Sequence, residues 1–272
     1  MEKTILGGPG SNSLFGSNGD DIIVDPTGDD WIDGGPGSDS ISAGEGNDRV
    51  FGGVGNDHVF GDEGNDYLYG DTGLDNPRIL GAVILGADND KLYGGPGDDA
   101  LFAGDGRDSL TGGAGHDTFV FQFHDPFPGI DQNYGPTAED RTSIVDFDPA
   151  QDSFIFDAVG LGSDGLAANF VNHATRGNQV DTFYSGPANG AHSEHVVVIT
   201  DHGFTDGSAA ARDISGEAAG DIVAYFNYNT MTAELGYVTS DNQVDDFAHL
   251  ANVQSLLHLA GLGLTASDFM FC

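Results

Sequence analysis

The sequence predicts an all-β chain: a long run of short strands and tight turns, then a second β-rich region, then a C-terminal helix. Three observations predict it. A nine-residue pattern repeats from Gly7 to Val120, and within it the apolar position is flanked by mostly polar ones, the period of two that a short strand needs. Glycine dominates the first 120 residues, whereas Phe, Val, Ile and Leu concentrate after Phe119. We therefore divide the chain into a repeat domain at 1–120, a β-rich domain at 121–240 and a C-terminal helix and tail at 241–272.

The repeat is read first because it fixes the fold. From Gly7 the blocks are GGPGSNSLF, GSNGDDIIV, DPTGDDWID, GGPGSDSIS, AGEGNDRVF, GGVGNDHVF, GDEGNDYLY and GDTGLDNPR. After "ILGAVI" (Ile79 to Ile84) they resume as LGADNDKLY, GGPGDDALF, AGDGRDSLT and GGAGHDTFV, twelve blocks in all. Column four is glycine except at Asp88, column six is aspartate except at Asn12, and column eight is apolar except at Pro77. Columns seven to nine read as a strand with column eight pointing inward, and columns one to six as the turn.

The turn has a definite chemistry. Glycine at columns one, two and four permits positive φ and lets backbone carbonyls approach where a side chain would obstruct them. The aspartate at column six adds a carboxylate oxygen in the same place. Calcium takes six to eight oxygens from carboxylates and carbonyls, so this donor set suits it, whereas zinc would want His or Cys, which are scattered. The candidate ligands are Asp21, Asp30, Asp39, Asp48, Asp57, Asp66, Asp75, Asp90, Asp99, Asp108 and Asp117.

These blocks match G-G-x-G-x-D-x-U-x, and the chain resembles the RTX (repeats-in-toxin) family of hemolysin-type calcium-binding proteins over residues 7 to 120. The resemblance implies a right-handed parallel β-roll with two nonapeptides per turn and calcium held between successive layers. Carboxylates eighteen residues apart would then stack along an edge: Asp30, Asp48 and Asp66, then Asp90 and Asp108, on one; Asp21, Asp39, Asp57 and Asp75, then Asp99 and Asp117, on the other. About seven to ten calcium ions are expected from that coordination logic.

Composition supports a cationic partner and excludes others. A formal charge of −36 repels phosphate polymers and anionic membranes, so nucleic acid is not expected as a partner. The single cysteine, Cys272, can form no intrachain disulfide. No apolar run approaches the roughly 18 residues of a membrane helix, and "MEKTILGGPG" lacks the apolar stretch of a cleavable signal, so export is expected to use another route.

Past Phe121 the period is lost, and "TSIVDF", "DSFIF", "EHVVVIT", "DIVAYFNY" and "ELGYV" read as strands of a sandwich-like or roll-capping domain. The stretch from "DTFVF" to "DRTSIVDFDPAQDSFIFD" resembles the region that follows the repeats in secreted RTX proteases. Asp146, Asp148 and Asp152 offer three carboxylates close together, which the spacing favours as acidic turn residues over a further calcium site. Val244 to Leu259 places Phe247, Leu250, Val253 and Leu257 on one face at helical spacing, predicting a helix. The tail "DFMFC", apart from its final Cys272, is similar to the uncleaved signal of type I secreted RTX proteins, which implies type I secretion machinery as a partner.

No catalytic constellation stands out. His192, His195 and His202, with Glu194, lack the H-E-x-x-H spacing of a zinc protease, and no catalytic domain precedes the repeats, so the chain is expected not to be an enzyme. The expected role is a secreted, extracellular calcium-binding protein that acts by binding an extracellular or host ligand, as a surface, matrix or adhesin-like module. The alternatives are a membrane-active protein, since the family includes pore-formers and secreted rhizobial nodulation-signalling proteins proposed to act on host membranes, or the C-terminal fragment of a larger RTX enzyme or toxin. "RILGAVILG" (Arg78 to Gly86) is the apolar interruption on which the first alternative would draw; an extra flank strand is the reading we favour for it.

Overall fold

The computed structural model describes residues 2–70, 89–103, 106–122, 142–157, 178–180, 182–218, 220–240 and 243–271. The chain divides into two compact units, Met1–Gln122 and Phe123–Cys272.

In the first unit each described block contributes one strand beginning at its column seven, and one more strand precedes the first block. The strands β1 (Thr4–Leu6), β3 (Ile22–Val24), β5 (Ser40–Ser42), β7 (His58–Phe60), β9 (Lys91–Pro96) and β11 (Ser109–Ala114) pair side by side in one parallel sheet. The alternate strands β2 (Ser13–Phe15), β4 (Trp31–Pro36), β6 (Arg49–Val54), β8 (Tyr67–Tyr69), β10 (Ala100–Ala103) and β12 (Thr118–Gln122) form the other. Ile23 pairs with Ile41 and Ile41 with Val59, so two nonapeptides make one turn of a parallel β-roll.

The core is one side chain per block. Ile23, Ile32, Ile41, Val50, Val59, Leu68, Leu92, Leu101, Leu110 and Phe119, all of column eight, are fully buried. The column-nine rings Phe51 and Tyr69, also buried, and Phe102 stack at centroid spacings of 4.7 and 4.1 Å, with the Arg49 guanidinium 5.1 Å from the Tyr69 ring.

The structure corrects the edge assignment beyond the interruption. Val59 pairs with Leu92 and Leu68 with Leu101, a step of 33 residues in place of eighteen. The extra fifteen residues equal one nonapeptide plus the six of "ILGAVI". A proline in column eight has no N–H to give to a ladder and is excluded from central strands. Skipping one block exchanges the edges: Asp90 follows Asp57, and Asp99 follows Asp66. Asp75 and the segment Arg78 to Gly86 lie outside the described residues.

The second unit is also β-rich. The strands β13 (Thr142–Ile144), β20 (Gln243–Leu250), β19 (Thr232–Ser240), β18 (Ile222–Asn227), β17 (Val196–Ile199) and β16 (Phe183–Gly186) lie side by side in that order, with antiparallel pairing across β18–β19–β20 and parallel pairing elsewhere. A second group runs β14 (Ser153–Asp157), β21 (Phe269–Phe271), β15 (Asn178–Gln179). Phe156 of β14 meets Phe247 of β20 edge-on, and Phe269 of β21 packs 5.9 Å from Phe183 of β16, so aromatic rings join the two layers. Helix α1 (Gly207–Asp213), capped by Asp206, lays Ala210 and Ala211 against Val223 and Tyr225.

The helix expected over Val244 to Leu259 is mostly something else. Residues 243–250 are strand β20, and only Leu256–Gly261 is helical (α2). Leu235 pairs with Ala248 and Gly236 with Asp246, leaving Phe247 as the extra residue of a β-bulge. The bulge inserts one position into a period of two, so buried Val244, Phe247 and Leu250 fall three apart and imitate a helix face. Leu257, expected on that face, is 83% exposed. The tail residues Asp268 to Phe271 are folded in: Asp268 closes a capping box with Thr265, and Phe269 is fully buried in β21.

Candidate metal centre

Each described column-six aspartate points inward, and from Asp39 and Asp48 onward each bonds to the layer before it. On one edge the Asp39 Oδ1 accepts from Asp21 N, Asp57 from Asp39 N, and Asp90 from Asp57 N, each at 2.7 Å, and Asp108 from Asp90 N at 3.0 Å. On the other, Asp48 accepts from Asp30 N, Asp66 from Asp48 N, Asp99 from Asp66 N and Asp117 from Asp99 N, at 2.7 to 3.1 Å. All ten described column-six aspartates are at most 4% exposed. Each of these bonds uses one carboxylate oxygen and fixes where the second one points.

That second oxygen shows what the turn is for. The Oδ2 atoms of Asp30, Asp39, Asp48, Asp66 and Asp99 are buried with no hydrogen-bond partner. A methyl group added at Gly34 would lie 2.4 Å from Gly52 O and 2.6 Å from Asp39 Oδ2; one at Gly94 would lie 2.5 Å from Gly112 O and 2.3 Å from Asp99 Oδ2. Carboxylate and carbonyl oxygens thus converge on space that only a missing Cβ leaves open. Such an oxygen-only cradle, anionic and without a donor aimed at it, fits a hard divalent cation. Among the described residues no three His, Cys, Asp or Glu side chains converge, and the further oxygens this cradle presents are backbone carbonyls such as those of Gly52 and Gly112.

Column four provides the close approach between layers. Gly46 and Gly64 have φ of +147° and +140°, and a methyl on them would lie 1.7 Å from Gly28 O and 1.5 Å from Gly46 O. No side chain fits there.

Burial and crowding set the protonation of the ladder. Loss of hydration raises Asp39 and Asp99 to about 6 and Asp48 and Asp66 to about 7, against an accepted backbone hydrogen bond that lowers each; neighbouring aspartate charges add to the rise. A folded pKa above the unfolded 3.8 means the calcium-free roll binds more protons than the unfolded chain between about pH 4 and 7. Its stability therefore falls as pH rises through that window, and protons compete with calcium for the same oxygens. Calcium binding counted directly by equilibrium dialysis at pH 8 and pH 5.5 is expected to give a midpoint several-fold higher at the acid pH. Equal midpoints would contradict the assignment.

The structure adds a ladder that sequence reasoning missed. Exposed column-five side chains accept from the backbone of the following layer: Asp29 Oδ1 from Asn47 N at 2.9 Å, Asn47 Oδ1 from Asn65 N at 3.0 Å, and Asn65 Oδ1 from Asp98 N at 2.9 Å. The signal was present as Asp or Asn in column five, but an exposed polar column looks like any solvated turn.

Among the described residues of the second unit, His192, His195 and His202 each have a different partner. His195 Nδ1 lies 2.9 Å from Asp221 Oδ1, His192 Nδ1 2.8 Å from Ser215 Oγ, and His202 Nε2 3.0 Å from Asp213 Oδ2. Asp148 and Asp152 form a hydrogen-bonded turn, Asp148 N donating to Asp152 Oδ2 and Ala150 N to Asp148 Oδ1, as acidic turn residues should.

Stacked layers of buried carboxylates and opened carbonyls define the first unit as a calcium-binding parallel β-roll. The family model described as the RTX calcium-binding nonapeptide repeat matches it four times, at residues 4–24, 27–59, 42–76 and 84–119. The first unit is thus built of RTX hemolysin-type calcium-binding nonapeptide repeats. The chain is 45% identical over 166 residues to Nodulation protein O of Rhizobium leguminosarum bv. viciae, an alignment covering 57% of this chain and 55% of that protein, so the chain spans about half the length of the curated relative it matches. Among solved structures it is similar to the AlgE6R3 subunit of the Azotobacter vinelandii mannuronan C5-epimerase, at 19% identity and a TM-score of 0.29, covering 97% of this chain and 80% of that one.

Proposed function

We propose that this is a secreted calcium-binding protein that folds on calcium outside the cell and acts there by binding, not by catalysis. The observation that carries the reading is the set of buried Oδ2 atoms with no donor, stacked layer over layer. At cytosolic calcium these carboxylates repel one another and the roll stays expanded; at extracellular calcium it closes. Eight gaps between successive column-six aspartates give about eight ions from the consensus ladder.

Asp268 and Phe269, within the tail read as a type I secretion signal, are buried in the folded second unit, so export by that machinery would engage them before this unit folds. Similarity to a nodulation protein supports a host-facing role for the bound ligand. A binding screen of the full chain against glycans and cell surfaces, with and without calcium, tests the reading. Calcium-dependent retention is the expected outcome; dye leakage from liposomes in calcium, without retention in the screen, would favour a membrane-active protein instead.

A further inference from the structure

Two departures from the repeat fall on one edge, in adjacent layers. Column six holds Asn12 where every other block has aspartate, and column one holds Asp25, its only acidic residue. The Asn12 amide donates to the carbonyls of Gly8, at 2.9 Å, and of Gly10, so the first turn brings a donor group where the other turns bring a carboxylate.

Asp25 reaches into the same gap. It is 1% exposed; its Oδ1 accepts only a long 3.4 Å bond from Thr27 N, and its Oδ2 has no partner. A methyl at Gly7 would lie 1.8 Å from Asp25 Oδ2, whereas the equivalent methyl at Gly16 would meet the Gly34 carbonyl oxygen at 1.7 Å. The Asp25 carboxylate thus stands where a ligand-capable carbonyl stands in the neighbouring turn. Asp30, in the same turn, also buries an Oδ2 without a partner. Two buried carboxylates of one turn, each with an oxygen that no donor reaches, suit a cation held between them.

We propose that Asp25 and Asp30 form a divalent-cation site of their own at the first turn of the roll, with Asp25 replacing the carboxylate that Asn12 does not provide. The site takes a hard, oxygen-seeking ion such as calcium, and both its carboxylates come from one turn, whereas consensus sites draw on column six. This inference rests on the calcium reading of the roll and adds one ion to it.

The test is the ion count of the full-length protein by native mass spectrometry in millimolar calcium, with terbium luminescence sensitised through Trp31, the only tryptophan and the neighbour of Asp30. Asp25→Asn and Asp25→Gly are each expected to bind one ion fewer and to lose part of the Trp31-sensitised signal. Asp25→Gly restores the residue found at Gly34 and Gly52, so the turn accommodates it. Asp29→Asn, an equal loss of charge at an exposed position of the same turn, is expected to keep the wild-type count. Unchanged counts in both Asp25 variants overturn the site, as a proton shared between Asp25 and Asp30 would produce, and leave the consensus ladder standing. A wild-type protein that binds no calcium overturns the ladder itself.

Discussion

Stripping calcium with a chelator is expected to remove most of the roll's strand signal from the far-ultraviolet circular dichroism of the full chain, and millimolar calcium to restore it. The roll's core is a single apolar side chain per block, and its glycines lose more backbone freedom on folding than any other residue. Its ladder carboxylates are a further penalty without a cation. Extracellular calcium modules bind at roughly 10⁻⁴ to 10⁻³ M, and one such site at tenfold excess adds about 1.4 kcal/mol. Eight of them add about 11 kcal/mol, the size of a whole domain's net stability. The second unit, with buried Phe154, Phe156, Phe247 and Phe269 and a sheet of longer strands, is expected to keep its signal in chelator. Identical spectra in chelator and in calcium would show that the ions are accessory.

The second large effect is expected at Gly46. Changing it to alanine places a methyl 1.7 Å from the Gly28 carbonyl oxygen at a φ of +147°, a region almost closed to side chains. Backbone strain of about 1 to 3 kcal/mol adds to an overpacking cost of about 1 to 3 kcal/mol. Nothing can give way cheaply, because the obstructing atom is backbone of the adjacent layer. We expect the calcium midpoint for folding to rise at least tenfold, or the roll not to form. Gly8→Ala is the control: no atom lies within 4 Å of the added methyl, and the expected change is within about 0.5 kcal/mol. Equal behaviour of the two variants would mean that the layers do not stack as closely as described.

Both expectations rest on columns that were legible in the sequence. Column eight is one buried residue in a period of two, and column six is one carboxylate at a fixed offset, so strand, turn and ligand could be read from any single block. What could not be read is how blocks pair across an interruption. The resumed blocks keep the pattern, but the pattern is the same on both edges, and only the register of Val59 with Leu92 shows that a block was skipped. The second unit was less legible because its strands carry no repeat. At Phe247 a bulge changes the spacing of buried residues from two to three, and spacing was the sole signal available there. Asp25 was visible as an acid in a glycine column, but its meaning needed the orphaned oxygen that only the fold reveals.

The central claim is that column-six carboxylates hold the ions that hold the roll. Replacing Asp39, Asp48 and Asp66 together by asparagine keeps the size of each side chain and removes three neighbouring charges. Counting bound calcium by native mass spectrometry, the account predicts about eight or nine ions for the wild type and at least three fewer for the triple variant. A wild type carrying one or two ions, or a triple variant carrying as many as the wild type, would contradict it.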